Sequence, residues 1–440
     1  MMKFEFIDST HILNKRTNSI FKLDSIAKNF LKIYFLTETK EEAVQKLAEF
    51  YSIDKNKIKH DFLDFIDTIE GNKPTKLGSL PKDHYVVLEP TNDCDAHCIH
   101  CFHSFHKKYS WSVKTIDEKV NILKKNGIKS VSLTGGEVFS PHYIENTKYL
   151  ITKLNKEKIN IISISTNGIF LTNKLMKWLD DNIDLEKLIF RISLDTLDSN
   201  ILNLRPGYKE VYSVTFWDLL EQYSANIIVT TVLYRQAIEE VIKIADYLKT
   251  KKNILRWIVK PMVVTKAKQN NIKKNYQEEM LIYKNILSWY KNNKDIRFDF
   301  LIGNSISKGM LDNPEKNIEI SLWDHPCREE KNQRTIKSNG SFTRCPIISE
   351  LGNQFSLNIE RLSESSQELF DNLTINEMKC ANCKYYKLCG GGCRLFAISA
   401  TGSYYECDPH SRFFWDWVTN SDFLKNEFKD FYTMVKDMVE

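Results

Sequence analysis

The 440-residue sequence has no apolar run long enough to span a bilayer. Its first residues, Met1-Met2-Lys3-Phe4-Glu5-Phe6-Ile7-Asp8, place acids where a secretory signal needs an apolar stretch. The reading is therefore a cytoplasmic protein with no membrane contact. There is no internal repeat and no low-complexity segment. One-signed charge is missing too: 62 basic against 57 acidic residues leave a net charge of +5. That is too mild to argue for nucleic acid as a partner, and gently favours an acidic peptide. Between Cys101 and Cys327 there is no cysteine at all. The ten cysteines are thus clustered, which in a reducing compartment points to metal or catalysis rather than to disulfides.

What is present divides the chain into modules. An apolar fraction of 42% is ordinary for a protein that buries a real core, and the length suggests about three domains. Residues 1–72 read as a small winged-helix-like unit. Short strands are expected at Lys3–Ile7, Ile12–Asn14 and Ile20–Lys22. A helix over Ser25–Tyr34 is capped by Asp24, and a second, about Glu42–Phe50, puts Ala43, Leu47 and Phe50 on one face. A third is capped by Asp54, with Ile58, Phe62, Phe65 and Ile66 as its buried stripe. A linker follows at 73–84, overlapping the turn-rich segment from Gly71 to Pro81.

Over 85–300 strands and helices alternate. Candidate strands are Tyr85–Glu89, Ser130–Leu133, Ile161–Ser165, Leu188–Ser193, Ile227–Leu233 and Leu255–Lys260, with amphipathic helices such as Ile116–Asn126 and Tyr143–Asn155 between them. Six βα units imply an α/β fold with a parallel sheet, a partial (β/α)6 barrel whose functional loops follow the C-terminal ends of the strands. Residues 301–410 are loop-rich, with too little periodicity to fold on packing alone, and metal ligation would supply the missing stability. Residues 411–440 read as one aromatic-rich helix, roughly Arg412–Val439.

The run Cys94-Asp-Ala-His-Cys98-Ile-His-Cys101 follows the first barrel strand. Three thiolates on a short loop can hold three irons of a [4Fe–4S] cluster and leave the fourth open; half of a zinc site is the other reading of three cysteines alone. The spacing resembles the signature of the radical S-adenosylmethionine (SAM) superfamily. Gly135-Gly136-Glu137, at the end of the second strand, matches that family's Gly-Gly-Glu motif. The resemblance implies that this turn binds the SAM amino group. It also implies that Ser165 and Asn167 approach the ribose, that Ser193 and Asp195 line the site, that His100 lies near the adenine, and that Arg205 meets the SAM carboxylate. The implied chemistry is reductive cleavage of SAM and abstraction of a hydrogen atom from substrate.

The remaining cysteines have their own spacing: Cys327, twelve residues, Gly340, four residues, Cys345, then Cys380-x2-Cys383-x5-Cys389-x3-Cys393 and Cys407. This resembles the SPASM extension of peptide-modifying radical SAM enzymes. It implies two auxiliary [4Fe–4S] clusters, one held by Cys380, Cys383, Cys389 and Cys407, the other by Cys327, Cys345 and Cys393. The fourth iron of the latter takes His325, Asp324 or an outside ligand such as a substrate thiolate. The chain would then carry three [4Fe–4S] clusters and SAM. The N-terminal unit is similar to the peptide chaperone of quinone-cofactor biosynthesis, a fold that recurs as a leader-peptide recognition element (RRE). A leader would add a strand near Ile20–Lys22.

Together these resemblances imply a maturase of a ribosomally made precursor peptide, with the leader on 1–72 and the core peptide in the barrel. A flavodoxin- or ferredoxin-type reductant is implied, and neither nucleic acid nor membrane as partner. A cysteine thioether, of sactipeptide or ranthipeptide type, is the expected product, and a carbon–carbon crosslink is the nearest rival. Sulfatase maturation is a further alternative. Against it stand the N-terminal unit and Pro346 after Cys345, where that branch typically has an acid. An alternative of another class is a zinc-dependent winged-helix regulator.

Overall fold

The computed structural model describes all residues except 1–3, 7–10, 15–18, 23–24, 38, 52–53, 70–84, 97, 104–107, 198–213, 266, 304, 315–319, 321–332, 344, 348–374, 404 and 440. The expected linker, the Asp24 cap, Arg205, Asp324, His325 and Cys327 lie outside the described residues. The chain divides into two units, one over residues 1–80 and a larger one from 81 onward.

In the first unit, strands β1 (Phe4–Phe6), β2 (His11–Asn14) and β3 (Ser19–Lys22) form an antiparallel sheet in the order β1-β2-β3. Helices α1 (Ser25–Phe35), α2 (Lys40–Tyr51) and α3 (Lys55–Ile69) follow. Their apolar stripes meet in one core: Phe30 and Leu31, then Ala43, Val44, Leu47 and Ala48, then Ile58, Phe62 and Ile66. Each large side chain so buried contributes about 2 kcal/mol relative to exposure. Asp54 caps α3 by accepting the Asn56 N–H at 2.9 Å. One expectation fails here. Phe50 is 61% exposed, because the buried stripe of α2 runs through Val44 and Ala48, and Tyr51 packs on the core in its place.

The larger unit is built on a ten-stranded sheet. Its six expected strands are β4 (Tyr85–Leu88), β5 (Ser130–Leu133), β6 (Asn160–Thr166), β7 (Ile189–Ser193), β8 (Asn226–Leu233) and β9 (Ile254–Pro261). They pair in sequence order, all parallel. The helix after each is α4 (Val113–Lys125), α5 (Ile144–Lys156), α6 (Asn173–Asn182), α7 (Val214–Gln222), α8 (Ile238–Lys249) or α9 (Tyr276–Lys291). Side-chain hydroxyls of Ser112 and Thr172 cap α4 and α6, which sets where the chain turns from loop to helix.

The sheet extends past both ends of this series. β10 (Asp299–Ile302) runs parallel to β9 and carries β11 (Ile306–Ser307) antiparallel; α10 (Lys308–Asp312) follows. At the other edge β12 (Gln333–Ile336) pairs parallel to β4 and carries β13 (Phe342–Thr343). The expected boundary after residue 300 falls inside β10, and β12 comes from the cysteine-rich region. The expected C-terminal helix is three: α11 (Pro409–Thr419), α12 (Asp422–Glu427) and α13 (Lys429–Val439). The break falls at Asn420-Ser421, where the Ser421 hydroxyl accepts the Leu424 N–H and starts a new helix.

α11 packs on α9 through a buried polar pair. The Glu279 carboxylate is fully buried, and His410 Nε2 lies 3.1 Å from it; the phenol of Tyr283, itself buried, is pushed up by burial and by Glu279. Removing one partner of such a pair leaves a buried carboxylate with nothing to offset its lost hydration. His410→Ala should therefore cost about 3 kcal/mol, read as a lower denaturant midpoint. Glu279→Leu combined with His410→Phe should recover most of the loss.

Candidate active site

The loop after β4 is closed at its neck by a short antiparallel contact. Asn92 N–H donates to the Tyr109 carbonyl and Trp111 N–H to the Pro90 carbonyl, while the Asn92 side chain accepts the Tyr109 N–H at 2.7 Å. Thr91 and Ser110 pair across the neck, their hydroxyls 2.7 Å apart. Cys94, Cys98 and Cys101 all lie within the loop, so the neck gathers the three thiols at the C-terminal mouth of the barrel. Burial pushes the Cys94 thiol up to about 12, and the negative charge of Glu137, Cys98 and Cys101 adds to it.

Gly135, Gly136 and Glu137 clasp this neck from β5. Gly136 N–H donates to the Thr91 carbonyl and Glu137 N–H to the Asp93 carbonyl, each at 2.8 Å. A Cβ at Gly135 would collide with the Thr91 carbonyl oxygen, and one at Gly136 with that of Asp93; Gly135 also has φ +146°. The glycine pair thus owes its identity to the approach of the chain's own cysteine loop. The Glu137 carboxylate is fully buried and accepts from Phe139 N–H at 3.0 Å, Thr166 Oγ1 at 2.9 Å and Asn167 N–H at 2.7 Å. Burial nevertheless raises it to about 7, against the pull of those donors. Glu137 therefore ties the end of β5 to that of β6.

Across the mouth, Asp195 follows β7. Its Oδ1 accepts the Val232 N–H at 2.9 Å, and its Oδ2 lies 3.4 Å from His100 Nε2. His100 stacks on Tyr234, with ring centroids 4.6 Å apart at 19°. Ser165 and Ser193 are half-buried and stand on the face of the sheet away from the helices, since their neighbours Ile164 and Ile192 are fully buried on the helix side.

Several contributors carry no sequence signal. Glu89 and Lys337, far apart in the chain, form a buried ion pair of 2.6 Å; Ser338 Oγ donates to Glu89, and Lys337 also donates to the Pro346 carbonyl at 2.8 Å. The pair joins β4 to the segment that bears Cys345. Gln269 Nε2 donates to the Cys101 carbonyl at 2.9 Å, and Thr265 Oγ1 to that of Phe102 at 3.1 Å. Together they hold the far side of the cysteine loop.

In the second thiol set Cys380 lies on the 3-10 turn Lys379–Asn382 with Cys383 directly after it, Cys389 ends the short helix Tyr386–Cys389, and Cys393 directly precedes the helix Arg394–Thr401. Cys380 shares a thiol hydrogen bond with Cys407, which pulls Cys407 down to about 7 and pushes Cys380 up. Cys389 is pushed up by burial and by the negative charge of Asp408, Cys407 and Cys383. Arg394, fully buried, is the cation that opposes this repulsion; it donates to the Glu406 carbonyl at 2.8 Å and to that of Gly391. Cys345 and Cys393 are both half-buried and both act on Lys260 at the end of β9.

Burial disfavours the thiolate form at Cys94 and Cys389, and bound iron would reverse that preference by making thiolate the favoured form. The donor set suits iron–sulfur clusters, which take one thiolate per iron. Among the described residues no three His, Cys, Asp or Glu side chains converge on one point as a single metal ion would need.

Residues 88–248 match the family model of the radical SAM superfamily. The chain carries a radical SAM domain and is an enzyme of that type, a class that implies a [4Fe–4S] cluster and SAM. The regulator reading is set aside on this ground. Over 325 residues, 66% of this chain and 81% of its relative, the sequence is 25% identical to a cysteine-type anaerobic sulfatase-maturating enzyme of Clostridium perfringens. In fold it is similar to Streptococcus suis SuiB bound to its precursor peptide SuiA, with TM-score 0.59 and 20% identity over 91% of this chain and 96% of the other. It is also similar to anSMEcpe bound to AdoMet and the Cp18Cys peptide, with TM-score 0.60 and 19% identity over 80% of this chain and 99% of the other. Among the described residues no helix is long and apolar enough to cross a membrane.

Gly136→Ala should force the clasp open at a cost of about 1–3 kcal/mol. We expect retained far-UV circular dichroism but a loss of one cluster's worth of iron after anaerobic reconstitution. Iron content equal to the wild type would contradict the role assigned to the clasp.

Proposed function

We propose that this protein is a maturase that modifies a ribosomally made polypeptide. The observation that carries the reading is the pairing of a radical SAM domain with a separate N-terminal unit whose sheet ends in the edge strand β3. An edge strand offers main-chain donors and acceptors to an incoming leader. The similarity to SuiB, which extends over 91% of this chain, supports the same arrangement.

Cys94, Cys98 and Cys101 would hold the first cluster. Gly135, Gly136, Glu137, Ser165, Asn167, Ser193, Asp195 and His100 would surround SAM, with Arg205 on its carboxylate. Cys380, Cys383, Cys389 and Cys407 would hold a second cluster, and Cys327, Cys345 and Cys393 a third. When bound, the first cluster and SAM supply one-electron chemistry that removes a hydrogen atom from an unactivated carbon. This chain's own residues then have simpler tasks. The Thr91–Gly136 and Asp93–Glu137 bonds fix the cysteine loop against the sheet. The buried Asp195 orients the His100 ring, and the Glu89–Lys337 pair holds the Cys345 segment to β4.

The product we favour is a cysteine thioether, because the third cluster counts three cysteines, and a substrate thiolate is a natural fourth ligand. The second reading is sulfatase-type maturation, favoured by the 25% identity to the Clostridium perfringens enzyme over 81% of that relative. Coexpression with a cysteine-containing precursor peptide should yield a product lighter by two hydrogens, with one cysteine protected from alkylation. Loss of two hydrogens with every cysteine still alkylated would sink the thioether. No modification of the peptide, but oxidation of a cysteine in a sulfatase-derived peptide, would establish the second reading.

A further inference from the structure

The face of the sheet away from the helices holds two cations, Arg191 and Lys260, that no ion pair among the described residues neutralises. On β7, Phe190 and Ile192 are fully buried on the helix side, as are Val229 and Thr231 on β8 and Trp257 and Val259 on β9. The two-residue period then puts Arg191, Ser193, Thr230, Ile258 and Lys260 on the opposite face. The register pairs Ser193 with Thr230, Thr230 with Ile258, Arg191 with Ile228 and Val232 with Lys260. Lys260 therefore stands one inward position above the Ser193–Thr230–Ile258 row, and Arg191 one below it. Among the described residues, neither cation is joined to a partner by a hydrogen bond or an ion pair.

The charged groups that act on Lys260 are Asp195, Arg191 and the thiols Cys345 and Cys393. Asp195 already accepts the Val232 N–H and faces His100. Glu89 is spent on Lys337 at 2.6 Å, and Asp299, on the same face, on Arg256 at 2.8 Å. Two cations thus face one engaged carboxylate. Lys260 is half-buried at the end of β9 with protein around it; burial lowers its ammonium from the ordinary lysine range while Asp195 opposes. A surrounded, unpaired cation gains most from an anion brought to it.

We propose that Arg191 and Lys260 form a carboxylate receptor inside the barrel, and that its ligand is an acidic side chain of the peptide substrate. A guanidinium and an ammonium on either side of a hydroxyl row can grip the two oxygens of one carboxylate by charge-assisted hydrogen bonds. Held there, an Asp or Glu fixes which neighbouring carbon faces the reacting centre, and so selects the residue attacked. The proposal rests on the peptide reading above. The carboxylate of SAM has the same chemistry and is the other source. The peptide is favoured because the thiols that act on Lys260, Cys345 and Cys393, belong to the C-terminal set, and because the mild positive charge of the chain suits an acidic partner.

The test uses the full-length, anaerobically reconstituted protein, a pair of synthetic pentapeptides that differ only by a central Asp or Asn, and SAM. Binding is measured by calorimetry, so turnover is not required and failure of the radical reading stays separate. Wild type should bind the Asp peptide about tenfold more tightly than the Asn peptide, the worth of one good hydrogen bond to a charged group. Lys260→Met should abolish that preference with SAM affinity unchanged, and Lys260→Arg should restore it. Arg191→Met should do the same as Lys260→Met and covers the case in which the lysine variant does not fold. A tenfold loss of SAM affinity in Lys260→Met with the peptide preference intact would overturn the peptide assignment in favour of the cosubstrate. An unaltered preference and SAM affinity, with only the reduction potential of an auxiliary cluster shifted, would overturn the receptor altogether and leave Lys260 as a counter-charge to iron–sulfur.

Discussion

Two backbone hydrogen bonds, from Gly136 to Thr91 and from Glu137 to Asp93, hold the cysteine loop to the end of β5. Nothing larger than hydrogen fits at the two glycines, because the loop's carbonyl oxygens occupy the space a side chain would take. The rest of the mouth is arranged around that clasp. Glu137 reaches on to Thr166 and Asn167 at the end of β6, and Gln269 and Thr265 close the loop from the β9 side. Three thiols on one short loop are thereby kept together by contacts made elsewhere, where iron would bind them as thiolates.

The two faces of the sheet divide the work. The helix side is a dry core of Leu, Ile, Val, Phe and Trp side chains that fixes the strands in register. The concave side carries serines, threonines, Arg191 and Lys260, groups that gain little from one another and more from a ligand. Extension of the sheet by β12 places a strand of the cysteine-rich region directly beside β4. The Glu89–Lys337 pair makes that junction specific: breaking either partner leaves a charge buried without compensation. The barrel and the cysteine-rich segment are one folding problem rather than two modules in series.

Much of this architecture was legible in the sequence, because periodicity and turn chemistry are local. The six strands and their helices follow from alternating apolar spacing, with ends that moved by at most three residues. The three-helix core of the N-terminal unit followed from its stripes at Phe30, Leu47 and Phe62. Phe50 misled because one apolar residue on the rim of a stripe satisfies the helical period as well as one at its centre. The last helix was read as continuous because its aromatic content persists through the Asn420-Ser421 break. The glycine pair was recognised for approach to a ligand, whereas it first accommodates the chain's own loop. What stayed hidden was long-range: Lys337 on Glu89, Gln269 on Cys101 and Arg394 among Cys380, Cys389 and Cys407 all join distant positions, and no local pattern marks them. Lys260 was passed over because a single lysine at a strand end looks like solvated surface until the register shows which face it takes.

The central claim is that three gathered thiols hold an iron–sulfur cluster with one iron open to SAM. Its most direct measurement is 5′-deoxyadenosine formation by the reduced, anaerobically reconstituted protein supplied with SAM. The account predicts release of 5′-deoxyadenosine by the wild type and none by Cys94→Ala. Iron-loaded, reduced wild-type protein that leaves SAM intact, with and without a precursor peptide, would contradict it.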